Sequence, residues 1–298
     1  MCVHPLLHPL LLAVWKTPGD SEGSTGCKSN IDTSQSCRDG GATLFWGHQV
    51  TQNTSRFPII RTAGLEGMLV TFSDALSESS NRATLAFGEA VKASAWPGVA
   101  EVSTSLASVF LRFDRTVLRH EALQDLLWDL LKQQDWQQAP LPAGRRLWRV
   151  PTVFGTDLAP QLAEAADAAG MSETQAIDSL GSARVRVLTI GFAPGQPYLG
   201  PLGAEWNLPR QTELTPQVPV GALVLAISQF VLFATTAPTG WRHVGQTGFR
   251  GFQLGRPEPI ALRPGDEMIF TPVTRADYDR FCVEDSHFGG ASREEIPA

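Results

Sequence analysis

The sequence predicts an α+β protein, with a ferredoxin-like βαββαβ layer followed by a compact β domain. From residue 57 to about 145 the apolar residues alternate between strand and helix periods. Beyond residue 183 the pattern changes to short β-rich runs separated by proline and glycine, which is typical of a small closed or nearly closed barrel. At 298 residues the chain exceeds the usual size of one domain, so two domains are expected.

The ferredoxin-like layer is predicted from the order of its elements. Strands are expected at 67–72, 99–104, 108–113 and 146–151, and helices at 76–96 and 120–136. Pro97 and Gly98 stop the first helix, and a proline-rich loop at 140–144 precedes the last strand. This order is that of the split βαβ fold.

The second domain is predicted to begin with helices and to continue as strands. A helix is expected at 157–169 with Asp157 as its N-cap, and another at 172–180 with a capping box from Ser172 to Gln175. Strands are expected at 184–190, 223–227, 230–235 and 268–272.

The most informative segment is the run from Gly191 to Gly200, with the sequence GFAPGQPYLG. Three glycines and two prolines in ten residues fix a backbone path that ordinary packing seldom needs. Such a loop is pre-organised, and its remaining N–H groups are available to a partner, so we predict a binding surface here.

This run opens an ordered series of motifs between residues 184 and 273. The series continues with LPR at 208–210, VPVG at 218–221, PTGW at 238–241 and LRPGD at 262–266. In order and spacing these motifs resemble the PxpB/KipI family, the smaller of the paired 5-oxoprolinase subunits, also known as allophanate hydrolase subunit 1 or carboxyltransferase subdomain C and D. A weaker resemblance extends back to about residue 57, and the family resemblance implies a cyclophilin-like barrel at 146–275.

The resemblance also implies an activity. Together with a PxpA-like protein and a PxpC-like (KipA-like) subunit, the chain would support the ATP-dependent opening of 5-oxoproline to glutamate. ATP, with Mg²⁺, would then be used by the complex, and no tightly bound cofactor is expected. The chain lacks a phosphate loop and the HExxH metalloprotease motif, so we do not expect it to act alone.

Eight residues are candidates for binding substrate or partner, while the catalytic residues stay unidentified. They are Gly191, Phe192, Pro194, Gly195, Tyr198, Arg210, Gln229 and His243.

Three of these side chains have both a functional and a structural interpretation. Tyr198 either presents its hydroxyl or anchors the loop. Arg210 either holds a carboxylate or phosphate or is simply solvated. His243 either moves protons or is structural. Gln229 borders the implied site. We expect Trp241 to pack under the loop and Asp266 to form a turn.

The chain also departs from the family pattern. Where the family has GGQTG, residues 227–231 read ISQFV, so we expect a different backbone there, because Phe230 and Val231 take positive φ only at a cost. Gln196 replaces a common phenylalanine. These changes bear on catalytic competence more than on fold.

Composition excludes several classes of partner. The net charge of −6 provides no basic face for nucleic acid or an anionic membrane, and no apolar run is long enough to span a bilayer. The four cysteines form no CxxC pair and have no histidine cluster beside them, so neither zinc nor a disulfide framework is expected.

The two ends of the chain are predicted separately. Residues 1–56 are predicted to be disordered, because 21–53 is polar and lacks an apolar period. The apolar run 5–15 has no Lys or Arg before it and contains two prolines, so we do not interpret it as a secretory signal. We therefore expect a cytoplasmic protein, with residues 276–298 as a C-terminal tail.

Two other functions stay open. A KipI-like protein would inhibit a histidine kinase without turnover. A carboxyltransferase-type subunit of a urea or allophanate pathway would take its carboxyl group from another polypeptide, because this chain has no AMKM biotin-attachment sequence.

Overall fold

A computed structural model describes residues 57–297 of the chain. The predicted disordered segment 1–56 lies outside these residues. The described part is an α+β structure, as predicted, with a four-stranded sheet followed by a closed seven-stranded barrel.

The first part is a small antiparallel sheet covered by two helices. Its elements are β1 (Ile59–Thr62), β2 (Gly67–Thr71), α1 (Glu78–Ser94), β3 (Val99–Thr104), β4 (Ser108–Phe113) and α2 (His120–Leu131). The strand order is β1-β2-β4-β3. Apolar side chains from the sheet and both helices form one core, which includes Phe87, Leu111 and Leu127.

The sheet has the ferredoxin-like order, but its fourth strand is not the predicted one. The strand predicted at 146–151 exists, yet it belongs to the barrel, and β1 occupies the edge position beside β2. A tight connection explains this, because the Ala63 N–H donates to the Gly67 carbonyl and makes β1 and β2 a local hairpin. The placement of 146–151 in the small sheet was therefore wrong.

Helix α1 joins the two parts of the structure. Its N-terminus is fixed by a capping box between Ser77 and Ser80, and it ends at Ala95 just before the predicted stop at Pro97-Gly98. Asn81, which is fully buried, donates from Nδ2 to the carbonyls of Leu106 (3.0 Å) and Leu188 (3.1 Å). Because Leu188 lies in the barrel, this amide ties the helix to both parts.

The second part follows a segment at 132–145. Its elements are β5 (Arg146–Phe154), α3 (Leu162–Ala168), α4 (Glu173–Ser182), β6 (Val185–Ile190), β7 (Pro197–Gly200), β8 (Thr215–Val218), β9 (Ala222–Ala226), β10 (Gln229–Leu232), β11 (Ala237–Thr239), β12 (Arg242–Thr247), β13 (Glu267–Pro272), α5 (Arg275–Glu284) and β14 (Ser292–Glu295).

Seven of these strands close into a barrel. They pair in the order β12-β9-β10-β7-β6-β13-β5, and β5 pairs again with β12 to close the ring. Every one of the seven contributes apolar side chains to a single core, which places that core inside the barrel. Strands β8 and β11 form a separate two-stranded ribbon.

The helices and the end of the chain differ in part from the predictions. The Ser172–Gln175 capping box of α4 is confirmed. The N-cap predicted at Asp157 is wrong, because α3 begins later and has Gln161 at its N-cap. Within the predicted tail, α5 folds as a helix and β14 pairs with β5.

None of the helices described between residues 57 and 297 combines the length and the apolarity that a bilayer-spanning helix requires.

Candidate functional site

The loop from Gly191 to Gln196 connects β6 to β7, and backbone hydrogen bonds join residues within it. The Gly191 N–H donates to the Gln196 carbonyl (3.0 Å), and the Gln196 N–H donates to the Ala193 carbonyl (3.1 Å). Gln196 is buried, and its Oε1 accepts from the Ala234 N–H, so this side chain ties the loop to the segment that follows β10. The loop is thus shaped by its own hydrogen bonds.

Gly195 has a steric reason to be glycine. Its φ is +71°, and a Cβ there would lie 2.4 Å from the carbonyl oxygen of Gly251. The backbones of the two loops are therefore in direct contact, which only two glycines allow.

The register of the barrel strands brings distant residues together on its outer face. Tyr198 pairs with Val231, Val231 with Val224, and Val224 with His243. Their neighbours Leu199, Phe230, Leu225 and Val244 belong to the interior core. Because side chains alternate between the faces of a strand, Tyr198 and His243 lie on the outer face, in one row across β7, β10, β9 and β12.

Tyr198, Trp241 and Arg210 form a cluster at one end of this row. The rings of Tyr198 and Trp241 meet edge to face with 6.3 Å between centroids, and the Arg210 guanidinium carbon lies 5.8 Å from the Trp241 ring centroid. Trp241 is buried, which confirms the prediction that it packs under the loop. Burial raises the pKa of Tyr198, and the positive charge of Arg210 opposes this rise.

His243 lies at the other end of the row and is 5% exposed. Its backbone N–H donates to Gln161 Oε1 (2.7 Å), and its carbonyl accepts from the Gln161 N–H (3.1 Å). Burial lowers the pKa of the imidazole, while weaker polar contacts with Gly245 and Gln246 act in the opposite direction. Among the described residues, no group forms a hydrogen bond with Nε2.

Gln229 follows the tight turn between β9 and β10. It is 7% exposed, and within residues 57–297 its Oε1 accepts no hydrogen bond. Its neighbour Phe230 points into the barrel, so the amide lies on the outer face with Tyr198 and His243. A buried acceptor in this state is costly unless a ligand or partner supplies a donor.

The turn before Gln229 agrees with the expectation that Phe230 and Val231 avoid positive φ. Phe230 and Val231 are ordinary strand residues, and positive φ occurs instead at Ile227 (46°) and Ser228 (56°). Three hydrogen bonds hold this turn, from Ile227 N to Leu208 O, from Ser228 N to Trp206 O, and from Leu202 N to Ser228 O. Ile227 and Ser228 therefore adopt left-handed backbone because the neighbouring segment holds the turn in that conformation.

The structure separates the eight candidates into two groups. Tyr198, Gln229 and His243 share the outer face of the barrel, and Arg210 reaches Tyr198 through Trp241. Gly191, Phe192, Pro194 and Gly195 belong to the β6–β7 loop, where Phe192 and Pro194 are exposed. Their roles in binding stay predictions.

Sequence reasoning missed two glutamines at this face. Gln161 braces the backbone of His243, and Gln246 is buried on β12 with Oε1 unpartnered among the residues described. The signal for Gln246 was a polar residue within an otherwise buried strand pattern; Gln161 carried no comparable signal. Over the described residues 57–297, no three His, Cys, Asp or Glu side chains converge as metal ligands.

The fold defines a class of protein in which a ferredoxin-like sheet precedes a cyclophilin-like barrel. The chain belongs to the family described as carboxyltransferase domain, subdomain C and D, which matches residues 58–262.

Its relatives include B-type subunits of 5-oxoprolinase. The chain is 36% identical over 141 residues to the one from Escherichia coli O157:H7, a match that covers 47% of this chain and 65% of that protein. It is 25% identical over 232 residues to the one from Bacillus subtilis (strain 168), covering 76% of this chain and 97% of that protein.

A solved structure shows the same fold within a longer chain. The crystal structure of TTHA0988 superposes with a TM-score of 0.59 at 26% identity, and the match covers 72% of this chain. It covers only 40% of the TTHA0988 chain, so the present chain spans well under two thirds of that protein, and just under two thirds of the Escherichia coli relative.

Proposed function

We propose that this chain is the B-type subunit of an ATP-dependent 5-oxoprolinase that works in the cytoplasm with PxpC-like and PxpA-like partners. The proposal is supported by the names of the relatives. The observation that carries it is the outer barrel face, where Tyr198 and Arg210 lie at one end of the row of strands and His243 lies at the other, with Gln229 on the same face. The complex would convert 5-oxoproline, ATP and water into glutamate, ADP and phosphate.

The chemistry of this face suits a small lactam acid. A guanidinium such as that of Arg210 pairs with a carboxylate through two parallel hydrogen bonds. Tyr198 offers a hydroxyl that stays protonated at neutral pH, because burial raises its pKa. The amide of Gln229 offers an acceptor for the lactam N–H. These groups would orient the substrate and stabilise charge, rather than attack it.

His243 would act as a neutral imidazole at this face. Its lowered pKa keeps it unprotonated at pH 7, and its buried Nε2 lacks a partner within the described part of the chain. An imidazole in this state accepts a proton or a hydrogen bond. We assign the imidazole to the side of the site where the attacking water would be held.

ATP and Mg²⁺ would be held elsewhere in the complex. The donors at this face are a phenol, a guanidinium, an imidazole and amides, whereas Mg²⁺ prefers carboxylate and phosphate oxygens. We therefore assign binding of ATP and Mg²⁺ to the PxpC-like partner.

The test is glutamate formation from 5-oxoproline and ATP by the three purified proteins, with each omitted in turn. Activity that disappears without this chain supports the proposal. In the same assay Arg210→Lys, which keeps the positive charge but loses the planar guanidinium, should raise the KM for 5-oxoproline. Arg115→Lys, at an exposed position between β4 and α2, is the control. An assembled complex that is inactive with the unaltered chain would reject the function.

A carboxyltransferase-type subunit is the second candidate, favoured by the description of the matching family. Since the chain contains no AMKM biotin-attachment sequence, it would receive carboxyl from another biotinylated polypeptide. Urea-dependent consumption of carboxybiotin, without glutamate formation, would select this alternative. Co-purification with a histidine kinase in place of a PxpC-like protein would instead indicate a regulatory inhibitor.

A further inference from the structure

The β6–β7 loop and the loop at 249–262 together expose an apolar surface. We call it the two-loop surface and define it by Phe192, Phe252, Leu254 and Ile260. Their exposed fractions are 58%, 36%, 81% and 43%. These four side chains stand on two loops that touch at Gly195 and Gly251, so Phe192 and Phe252 each lie within three residues of that contact.

Hydrogen bonds within the chain fix the conformation of the two loops in the absence of a partner. Within the second loop, Phe252 and Ile260 form an antiparallel bridge, and the Gln253 N–H donates to the Pro259 carbonyl (2.8 Å). The Ala261 N–H donates to the Gly251 carbonyl (3.1 Å). A surface built in this way loses little conformational freedom on binding.

Phe192 has a strained backbone conformation and an exposed side chain. Its φ is +71°, a conformation that a bulky side chain adopts only at a cost, and its ring is largely in solvent. Strain at an exposed aromatic side chain has no benefit for folding alone. It is explained if the ring enters a pocket on another molecule.

The edge of the two-loop surface is basic, although the whole chain is acidic. Residues 249–263 contain three arginines and one glutamate, a net charge of +2 in a chain of net charge −6. Glu258 pairs with Arg263 (3.2 Å), and Arg250 and Arg256 are exposed. The matching partner surface is therefore apolar at its centre and acidic at its rim.

We infer that the two-loop surface docks the PxpC-like subunit of the complex. This inference rests on the proposed function for the identity of the partner. The comparisons favour such an occupant, because the similar region is only 40% of the TTHA0988 chain and the relatives carry the name of a subunit. The remainder of a longer chain, or a separate subunit, must contact some face of this fold.

The test uses calorimetry to measure the Kd between the full chain and the purified PxpC-like protein. Leu254→Asp introduces a negative charge at the most exposed position of the surface, and we expect at least a tenfold weaker Kd. Val283→Asp is the matched control, because Val283 is 85% exposed on α5, outside the surface. It should bind as the unaltered chain does.

Phe192→Gly separates binding from folding. Glycine accepts positive φ, so this variant should have a higher urea midpoint than the unaltered chain and yet bind the partner at least tenfold more weakly. A merely structural Phe192 would lower stability and leave the Kd unchanged, and that result would overturn the inference.

The remaining outcomes are also decisive. If the complex forms and makes glutamate while every variant binds equally, the docking inference fails and the proposed function stands. If the unaltered chain forms a dimer that Leu254→Asp dissociates, the occupant is a second copy, and the inference is wrong. If the PxpC-like protein does not bind at all, both proposals fail.

Discussion

The buried guanidinium of Arg146 holds both carboxylate oxygens of Asp266 at the start of the parallel strands β5 and β13. The Arg146 backbone N–H and Nε donate to Oδ1 (3.0 and 3.2 Å), and Nη2 donates to Oδ2. The Arg263 N–H also donates to Oδ2 (2.9 Å). Asp266 thus forms the predicted turn and, in addition, joins the strands that close the barrel.

Replacing Asp266 with asparagine should leave Arg146 charged, buried and poorly paired. We expect the free energy of unfolding to fall by about 3–5 kcal/mol, as for other broken buried ion pairs. Urea denaturation monitored by circular dichroism measures this loss. Glu258→Gln, which breaks an exposed pair with Arg263, should cost less than about 1 kcal/mol. Equal effects of the two substitutions would contradict this account.

Ser228→Gly should stabilise the protein, because glycine adopts the φ of 56° at the β9–β10 turn without strain. The expected gain is about 1 kcal/mol in the free energy of unfolding. As the control, Ser103→Gly removes a serine from strand β3 and should cost about 0.5–1 kcal/mol. Thermal and urea unfolding give both values. A destabilised Ser228→Gly protein would show that the turn is not strained.

Gly195→Ala should destabilise the protein, because its Cβ would clash with the Gly251 carbonyl oxygen at 2.4 Å. We expect a loss of at least about 2 kcal/mol in the free energy of unfolding. Gly170 has a similar φ of +73° but nothing within 4 Å of its would-be Cβ, so Gly170→Ala should cost only about 1 kcal/mol. If both variants lose the same stability, the contact between the loops is not as described.

His243 should make the stability of the protein fall at mildly acidic pH. Burial lowers its pKa below the ordinary 6.5, so below that pH the unfolded chain binds more protons than the folded one. Stability from this residue is present above pH 6.5 and is lost as the pH falls towards the folded pKa. In unfolding experiments between pH 5 and 8, His243→Gln should weaken the dependence of the free energy of unfolding on pH. A pH dependence that His243→Gln leaves unchanged would contradict this account.

The two tyrosines of the chain allow a direct test of the Tyr198 environment. Burial raises the pKa of Tyr198 above 10.0 and that of Tyr278 to about 12. In a Tyr278→Phe background, absorbance at 295 nm therefore reports the ionisation of Tyr198 alone. Arg210→Gln should raise its pKa further, since a positive charge is removed, whereas Arg256→Gln should not. An unchanged titration after Arg210→Gln would place the guanidinium away from the phenol.

The strands and helices with a clear apolar period were predictable from local sequence. Helix α4 has its capping box at Ser172, and β6, β9, β10 and β13 lie within a few residues of the predicted strands. Helix α3 was predicted with the wrong start. The side chain of Gln161, at its N-cap, accepts a hydrogen bond from His243 and does not cap the helix. A tertiary contact outweighed a local capping preference there.

The residues of the candidate site were predictable from the sequence, but their positions relative to one another in the fold were not. The motifs named Tyr198, Arg210, Gln229 and His243, but their meeting on one outer face depends on the pairing of β7, β10, β9 and β12. Pairing partners are set by barrel closure, which no local pattern encodes. For the same reason Gln246 and the contact between Gly195 and Gly251 were not foreseen.

By itself the sequence determined the α+β class, the shaped loop at 191–200 and the motif series of the family, because these depend on local backbone preferences and on residue identity. Only the tertiary structure decided that β1 completes the small sheet, that β5 closes the barrel, and that Ile227 and Ser228 adopt positive φ. Each of these outcomes depends on contacts between residues far apart in the chain, whose free energy exceeds the local preference of the residues involved.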